Sequence, residues 1–232
     1  GANAHLINDT NTLQKILEQD IFNWNYESIK INLDSNKSTI VPNSFFEKKI
    51  IEKYLYFNEK FNKQEIDFFC DELKYMDATV ISSTPKKLTF LLKKKFKKIK
   101  IQSHSSVFID SILRKCAQSK ENEIFIDLSA NRFDIGVVKQ SKLFLYNNFT
   151  FLSKNDFLYY ILNCYNTLNL DSKKDKLYIS GEFETDKIIP DLKEYLYNIL
   201  LQKRITSLNY SNVFNKMPDF YFHKLFNLIK CV

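Results

Sequence analysis

The stretch EIFIDLSANRFDIGVVKQSKLFLYNNFT, Glu123–Thr150, decides the fold. It reads as three strands, Glu123–Leu128, Arg132–Lys139 and Lys142–Thr150, separated by the tight polar turns Ser129-Ala-Asn131 and Gln140-Ser141. Strands joined so closely pair antiparallel, so the stretch is a meander. Ser153-Lys-Asn-Asp156 then caps a helix running to about Leu168, with Phe157, Leu158, Ile161, Leu162 and Tyr165 along one side. Lys176–Ser180 is a strand ending at Gly181. The spacing predicts a further helix with Pro190 in its first turn and Leu192, Tyr195, Leu196 and Ile199 on its buried face. Ile205–Leu208 follows as a last strand and Asp219–Lys230 as a last helix.

The resulting order, βββαβαβα, is the topology of the ribonuclease H-like fold, the half-unit of actin-like proteins. Upstream, Asn11–Phe22 reads as a helix with Leu13, Ile16, Leu17 and Ile21 on one face, and Ser28–Leu33 as an alternating strand. After Thr39–Val41, Ser44-Phe-Phe-Glu47 has the pattern of a capping box opening a helix, with Phe46, Ile50, Ile51, Tyr54 and Leu55 inward. Ala78–Ser82 is a strand, Lys86–Phe96 a helix, Ile99–Ile101 a strand and Ser105–Cys116 a helix. The polar stretch Gln118–Asn122 is the candidate linker.

Composition excludes several classes. With 44% hydrophobic and 15% aromatic residues in 232, the chain carries more core-forming side chains than disorder allows, enough for one large domain or two small ones. Apolar runs such as Thr89–Leu92 and Phe157–Leu162 fall far below the roughly 20 residues of a membrane span. No signal peptide is visible, although the chain starts Gly1-Ala2-Asn3 rather than with Met, as a processed or truncated chain would. Cys70, Cys116, Cys164 and Cys231 are scattered without a Cys-x-x-Cys pair, which points to buried free thiols in a reducing cytoplasm. The histidines His5, His104 and His223 complete no zinc-ligand spacing, so no metal site is expected. The net charge of +7 raises nucleic acid as a partner. Yet the only arginines are Arg114, Arg132 and Arg204, and a chain rich in Lys, Asn, Ile, Phe and Tyr reflects AT-rich codons more than phosphate recognition.

Several ordered blocks resemble a known family. Phe125–Val138, Lys142–Phe149, Asp156–Tyr160 and Leu177–Glu182 are similar to the second half of an uncharacterised family from Bacteroidetes, a domain of unknown function with an actin-like ATPase fold. Ser38–Pro42, Tyr54–Asn58, Asp77–Pro85 and Phe222–Cys231 resemble its other blocks. More distantly, the meander resembles that of actin-like scaffold proteins of pilus assembly and cell division. The resemblance implies an α/β protein of two ribonuclease H-like lobes, with mixed sheets flanked by helices. The lobes would span 1–104 and 105–232, with the boundary near residues 101–122. The first would lack its opening hairpin, which in that fold carries one of two phosphate-binding turns.

The same resemblance sets Asp127–Asn131 at the second phosphate turn, where Asp127 could hold Mg²⁺ through water. Ser129 and Ala130 stand where glycine is expected, and only glycine lets a backbone approach a phosphate closely at positive φ without strain. Gly181 would match the adenosine-contacting turn, but Glu182 replaces a second glycine. Asp127, Ser129, Asn131, Gly181 and Glu182 thus form a candidate, degenerate nucleotide cleft, with no cofactor expected. The simpler account is that Asp127 and Asn131 make a turn, for which both residue types are suited.

Other arrangements compete. Asp127 and Glu182, with Asp134 or Asp219, could hold the two Mg²⁺ ions of a ribonuclease H-type nuclease, although coincidence explains acids this far apart. The run Lys86, Lys87, Lys93, Lys94, Lys95, Lys97, Lys98 and Lys100 reads as a solvated face, with RNA, DNA or an acidic protein as the alternative. His104-Ser105-Ser106 lacks an acid and an oxyanion hole, and Ser105 reads as a helix N-cap. His223 reads as a helix-face residue. Tyr159, Tyr160, Tyr221 and Phe222 read as core packing or as anchors of a protein interface. The function expected is a non-catalytic, protein-binding scaffold. The alternatives are a divergent ATP-binding protein and a nucleic-acid-binding one.

Overall fold

The computed structural model describes residues 10–35, 37–56 and 62–230. His5, Cys231 and the last two positions of the Tyr54–Asn58 block lie outside the described residues. Contacts divide the chain into two units, between Asp110 and Ser111.

The described part of the first unit opens on α1 (Thr10–Leu17), followed by β1 (Ile29–Leu33), β2 (Ser38–Pro42), α2 (Ile51–Leu55), β3 (Ile66–Glu72), β4 (Ala78–Pro85), α3 (Lys86–Lys95) and β5 (Ile99–Ser103). The first helix ends before Phe22 because Gln19 turns extended, with ψ 145°, and Asp20–Asn23 continues as a 3₁₀ turn. β1 and β5 pair in parallel, whereas β2, β4 and β3 form an antiparallel sheet in that order. Leu17, Leu33, Leu88, Leu92 and Phe96 share one buried cluster. Leu88 and Leu92 face inward as the helical spacing requires.

Two expectations fail in this unit. The box at Ser44-Phe-Phe-Glu47 does not form: Asn43–Phe45 and Lys48–Ile50 are 3₁₀ turns without side-chain caps. Phe46 and Glu47 stay extended, and the Tyr54 hydroxyl holds that bend instead. It donates to the Phe45 carbonyl (2.5 Å) and accepts from the Glu47 N–H (3.0 Å). The second difference is β3, which the sequence reading leaves without an element. Its aspartates anchor both neighbouring helices: Asp67 accepts from Thr89 of α3. Asp71 accepts from the Ser103 N–H (2.6 Å) and the Ser106 hydroxyl (2.9 Å).

Helix α4 (His104–Lys115) carries the division between the units. Its cap is Ser103 rather than Ser105, since the Ser106 N–H donates to Ser103 Oγ at 3.2 Å while Ser105 Oγ pairs with Ser38 Oγ at 2.7 Å. The second unit then runs β6 (Asn122–Ser129), β7 (Arg132–Lys139), β8 (Lys142–Thr150), α5 (Lys154–Thr167), β9 (Lys176–Glu182), α6 (Thr185–Lys193), β10 (Ile199–Leu201) and α7 (His223–Lys230). Its sheet has the order β10-β9-β6-β7-β8, with the meander β6-β7-β8 antiparallel and β9 and β10 parallel to β6.

The order βββαβαβα stands, but its last members shift. Pro190 lies inside α6, Ile199 opens β10 instead of closing a helix, and Tyr195 is exposed. No strand occupies Ile205–Leu208, and Pro218 and the left-handed Phe222 (φ 57°) delay the last helix to His223. Alternation along the strands sends Ile124, Ile126, Leu128, Phe133, Ile135, Leu177 and Ile179 to one face, where Phe157, Ile161, Leu192 and Leu196 cover them. The opposite face is mixed: Phe125 stacks on Tyr178 there, and Asp127, Asp134 and Ser180 form the candidate site beside them.

Candidate functional site

Period-two alternation that buries Ile126 and Leu128 on one side of β6 must point Asp127 to the other. Asp127 pairs in register with Asp134 of β7 and with Ser180 of β9, so two carboxylates and a hydroxyl share a patch. All three are buried, Asp127 at 2% exposure and Asp134 at 4%. Two anions so enclosed need a counter-charge. It comes from the first turn of α7: Lys224 Nζ lies 2.8 Å from Asp127 Oδ1 and 3.2 Å from Asp134 Oδ2. The outer carboxylate oxygens are also engaged. The Ser180 hydroxyl donates to Asp127 Oδ2 (2.7 Å), and the Tyr146 hydroxyl donates to Asp134 Oδ1 (2.8 Å).

Asp127 therefore does not face an open cleft, and the resident cation is an ammonium of the same chain. A hydrated Mg²⁺ does not fit these residues, since both carboxylates already share a cation and each accepts a hydroxyl. Neither Lys224 nor Tyr146 figures in the sequence reading. The signal available was that Asp127 and Asp134 fall on the same face of adjacent strands and so need a cation.

The other candidate residues scatter around this point. Ser129 ends β6, and Ala130 takes φ 42° in the two-residue turn to Arg132. The turn thus adopts a left-handed residue without a glycine. The Asn131 carbonyl accepts from the Phe151 N–H. Gly181 is held by packing between strands: a Cβ there, at φ 117°, would lie 1.9 Å from the Leu128 carbonyl oxygen. Its N–H donates to the Phe220 carbonyl (3.0 Å). Glu182 is exposed beside Ser129, and Asp219 is an exposed partner of Arg204 at 3.5 Å. Among the described residues no group of three or more His, Cys, Asp or Glu side chains could hold a metal. The nuclease arrangement of Asp127, Glu182, Asp134 and Asp219 is therefore not assembled.

His223 precedes Lys224 and faces inward. Burial pulls its pKa down to about 4, against the opposing pull of Asp127, and Lys115 and Arg114 push the same way as burial. Its Nδ1 lies 3.0 Å from Asn227 Nδ2. Lysines 86, 87, 93 and 94 of α3 and lysines 97 and 98 just after it are exposed, and Lys95 donates to Asn23 Oδ1 at 2.6 Å. Phe90 stands exposed among them at 64%. Tyr159 is 63% exposed, whereas Tyr160 stacks on Phe149 with centroids 4.5 Å apart. The three described cysteines, Cys70, Cys116 and Cys164, are free, and Cys70 is exposed rather than buried.

A meander followed by alternating helices and strands is the ribonuclease H-like arrangement, and a similar solved structure shows it in an actin-like ATPase fold. Among solved structures the chain is similar to a Bacteroides thetaiotaomicron protein of unknown function with that fold. The two share 20% identity over 83% of this chain and 76% of that one, with a TM-score of 0.75. It is also similar to a structure of the PilM–PilN type IV pilus biogenesis complex, at 10% identity over 99% of this chain and 86% of that one, TM-score 0.53. Residues 8–199 match the family described as "Protein of unknown function (DUF3822)", and the chain belongs to that family. No curated protein matches it. Among the described residues no helix is long and apolar enough to cross a membrane.

Proposed function

We propose that this chain is a non-catalytic scaffold that binds another protein and has given up the nucleotide chemistry of its fold. One observation carries the reading: Lys224 Nζ sits 2.8 Å from Asp127 Oδ1 and 3.2 Å from Asp134 Oδ2. By resemblance Asp127 would hold Mg²⁺, and the ammonium meets that need for positive charge from within the chain. Ser129, Asn131, Gly181 and Glu182 then belong to a degenerate cleft, in which Gly181 answers to strand packing. Supporting the protein partner, one similar structure is of PilM in complex with PilN. Tyr159 and Leu152, 63% and 93% exposed, offer apolar surface at the start of α5 and on the turn before it. The experiment is affinity capture from native extract, with wild-type protein and a Leu152→Asp, Tyr159→Asp variant. A protein retained by the wild type and lost by the variant is expected. Retention of nothing, together with tight binding of MgATP, would overturn the reading.

A second reading rests on Phe90, an exposed aromatic set among Lys86, Lys87, Lys93, Lys94, Lys97 and Lys98. A basic face with an aromatic platform suits single-stranded nucleic acid. Salt-dependent binding of an oligonucleotide, abolished by Lys93→Glu with Lys94→Glu, supports it, and unchanged affinity removes it.

A further inference from the structure

Within the second unit, the end of α4 together with β9, β10 and α7 lines a half-open cavity of about 450 Å³, a size suited to a small ligand. Its lining includes Arg114, Lys115 and Lys203 but no carboxylate. Glu123 acts on Lys115 from outside the lining, but no carboxylate faces the cavity itself, so the cationic side chains there favour an anion between them.

The guanidinium is held in place from behind. Asn227, 2% exposed, donates to the His223 carbonyl (2.8 Å) and lies 3.0 Å from His223 Nδ1, so its Oδ1 is turned to accept from Arg114. The neutral imidazole leaves Nδ1 free to accept the second amide hydrogen. This relay engages one of Arg114's five donors. Among the described residues Asn227 is its only hydrogen-bond partner. Lys203 is exposed at the mouth. Lys115 is exposed as a residue, yet its ammonium is drawn over the Tyr178 ring, 3.3 Å from the centroid, and donates to Gln202 Oε1 at 3.3 Å. Burial of that head group lowers its pKa to about 8. Leu200, Leu201 and Ile205 supply an apolar wall.

We propose that this cavity binds a small organic anion, a carboxylate or phosphate on a short apolar body. The oxyanion lies against the open edge of Arg114 and against Lys203, and the body against Leu200, Leu201 and Ile205. Arg114 and Lys115 also end α4, where cations complement the helix dipole. That role explains neither the buried Asn227 relay nor the third cation, Lys203. The proposal is independent of the scaffold reading and of the Lys224 triad.

The test is isothermal titration of the whole chain with phenyl phosphate, benzoate and inorganic phosphate. Saturable binding of phenyl phosphate or benzoate, tighter than that of inorganic phosphate, is expected. The tighter of the two identifies the anion as phosphate or carboxylate. Arg114→Met and Lys203→Glu should each weaken it by about tenfold or more, the loss of a charge-assisted contact. Lys93→Glu, on α3, should leave it unchanged. Lys203 is exposed, so its variant keeps the test decisive should Arg114→Met fail to fold. No saturable binding up to about 10 mM of probe, far weaker than a built site gives, would overturn the proposal. So would affinity that Lys203→Glu leaves intact.

Discussion

Lys224 is the residue on which the buried Asp127–Asp134 pair of the second unit depends. Its side chain is 15% exposed and neutralises two carboxylates that are almost wholly buried. Removing one partner of such a cluster strands the remaining charges in low dielectric, which costs about 3–5 kcal/mol. Lys224→Met should therefore lower unfolding free energy by about that amount in urea titrations, whereas Lys93→Met on α3 should leave it nearly unchanged. His223, its neighbour, makes stability depend on pH. Its folded pKa is about 4, against about 6.5 in an unfolded chain. The unfolded state takes up a proton as pH falls below 6.5 and the folded state does so only near 4, so stability is lost across that window. The loss is about 2–3 kcal/mol between pH 7 and pH 4. Urea unfolding at both pH values should show a smaller drop for His223→Gln than for wild type. Neither role was legible in the sequence, since Lys224 lies 90 residues from Asp134 and no local pattern joins them.

At the scale of elements, the two cap-like motifs separate pattern from structure. Ser153 and Asp156 form a reciprocal box: Ser153 Oγ accepts from the Asp156 N–H (3.1 Å), and Asp156 Oδ2 accepts from the Ser153 N–H (3.0 Å). N–H groups of Leu152 and Ser153 also hold the Asp156 carboxyl below the usual carboxylate range. Ser44 and Glu47 share the spacing but make no cap. Ser153→Ala should cost about 1 kcal/mol and Ser44→Ala close to nothing, as read by chemical denaturation. The distinction was not local: Tyr54 imposes the bend at Phe45–Glu47, and tertiary contact overrides the pattern. Similarly, β3 alternates Ile66, Phe68 and Cys70 with Asp67 and Asp71, but Phe69 breaks the alternation because it packs against the core of the first unit. β10 was hidden for another reason. Three residues long, it carries no periodic signal of its own and is fixed by pairing with β9.

For the whole molecule, the meander and the βββαβαβα order were legible because strands with polar two-residue turns leave few alternatives. The candidate site was legible only in part. The expected glycines drew attention to Ser129 and Ala130, and Ala130 adopts a left-handed φ of 42° without one. In the scaffold reading, charge would separate this site from a nucleotide-binding one, because the Asp127 carboxylate is paired with Lys224. Thermal unfolding of the full chain with and without MgATP tests that claim most directly. A site saturated a hundredfold above its dissociation constant would add about 2.7 kcal/mol, which a melting curve reads as a shift of several degrees. The account predicts superimposable curves for wild-type protein with and without about 1 mM MgATP, a level that would saturate any site of about 10 μM affinity. A rise of several degrees in wild type, absent in Asp127→Asn, would contradict it.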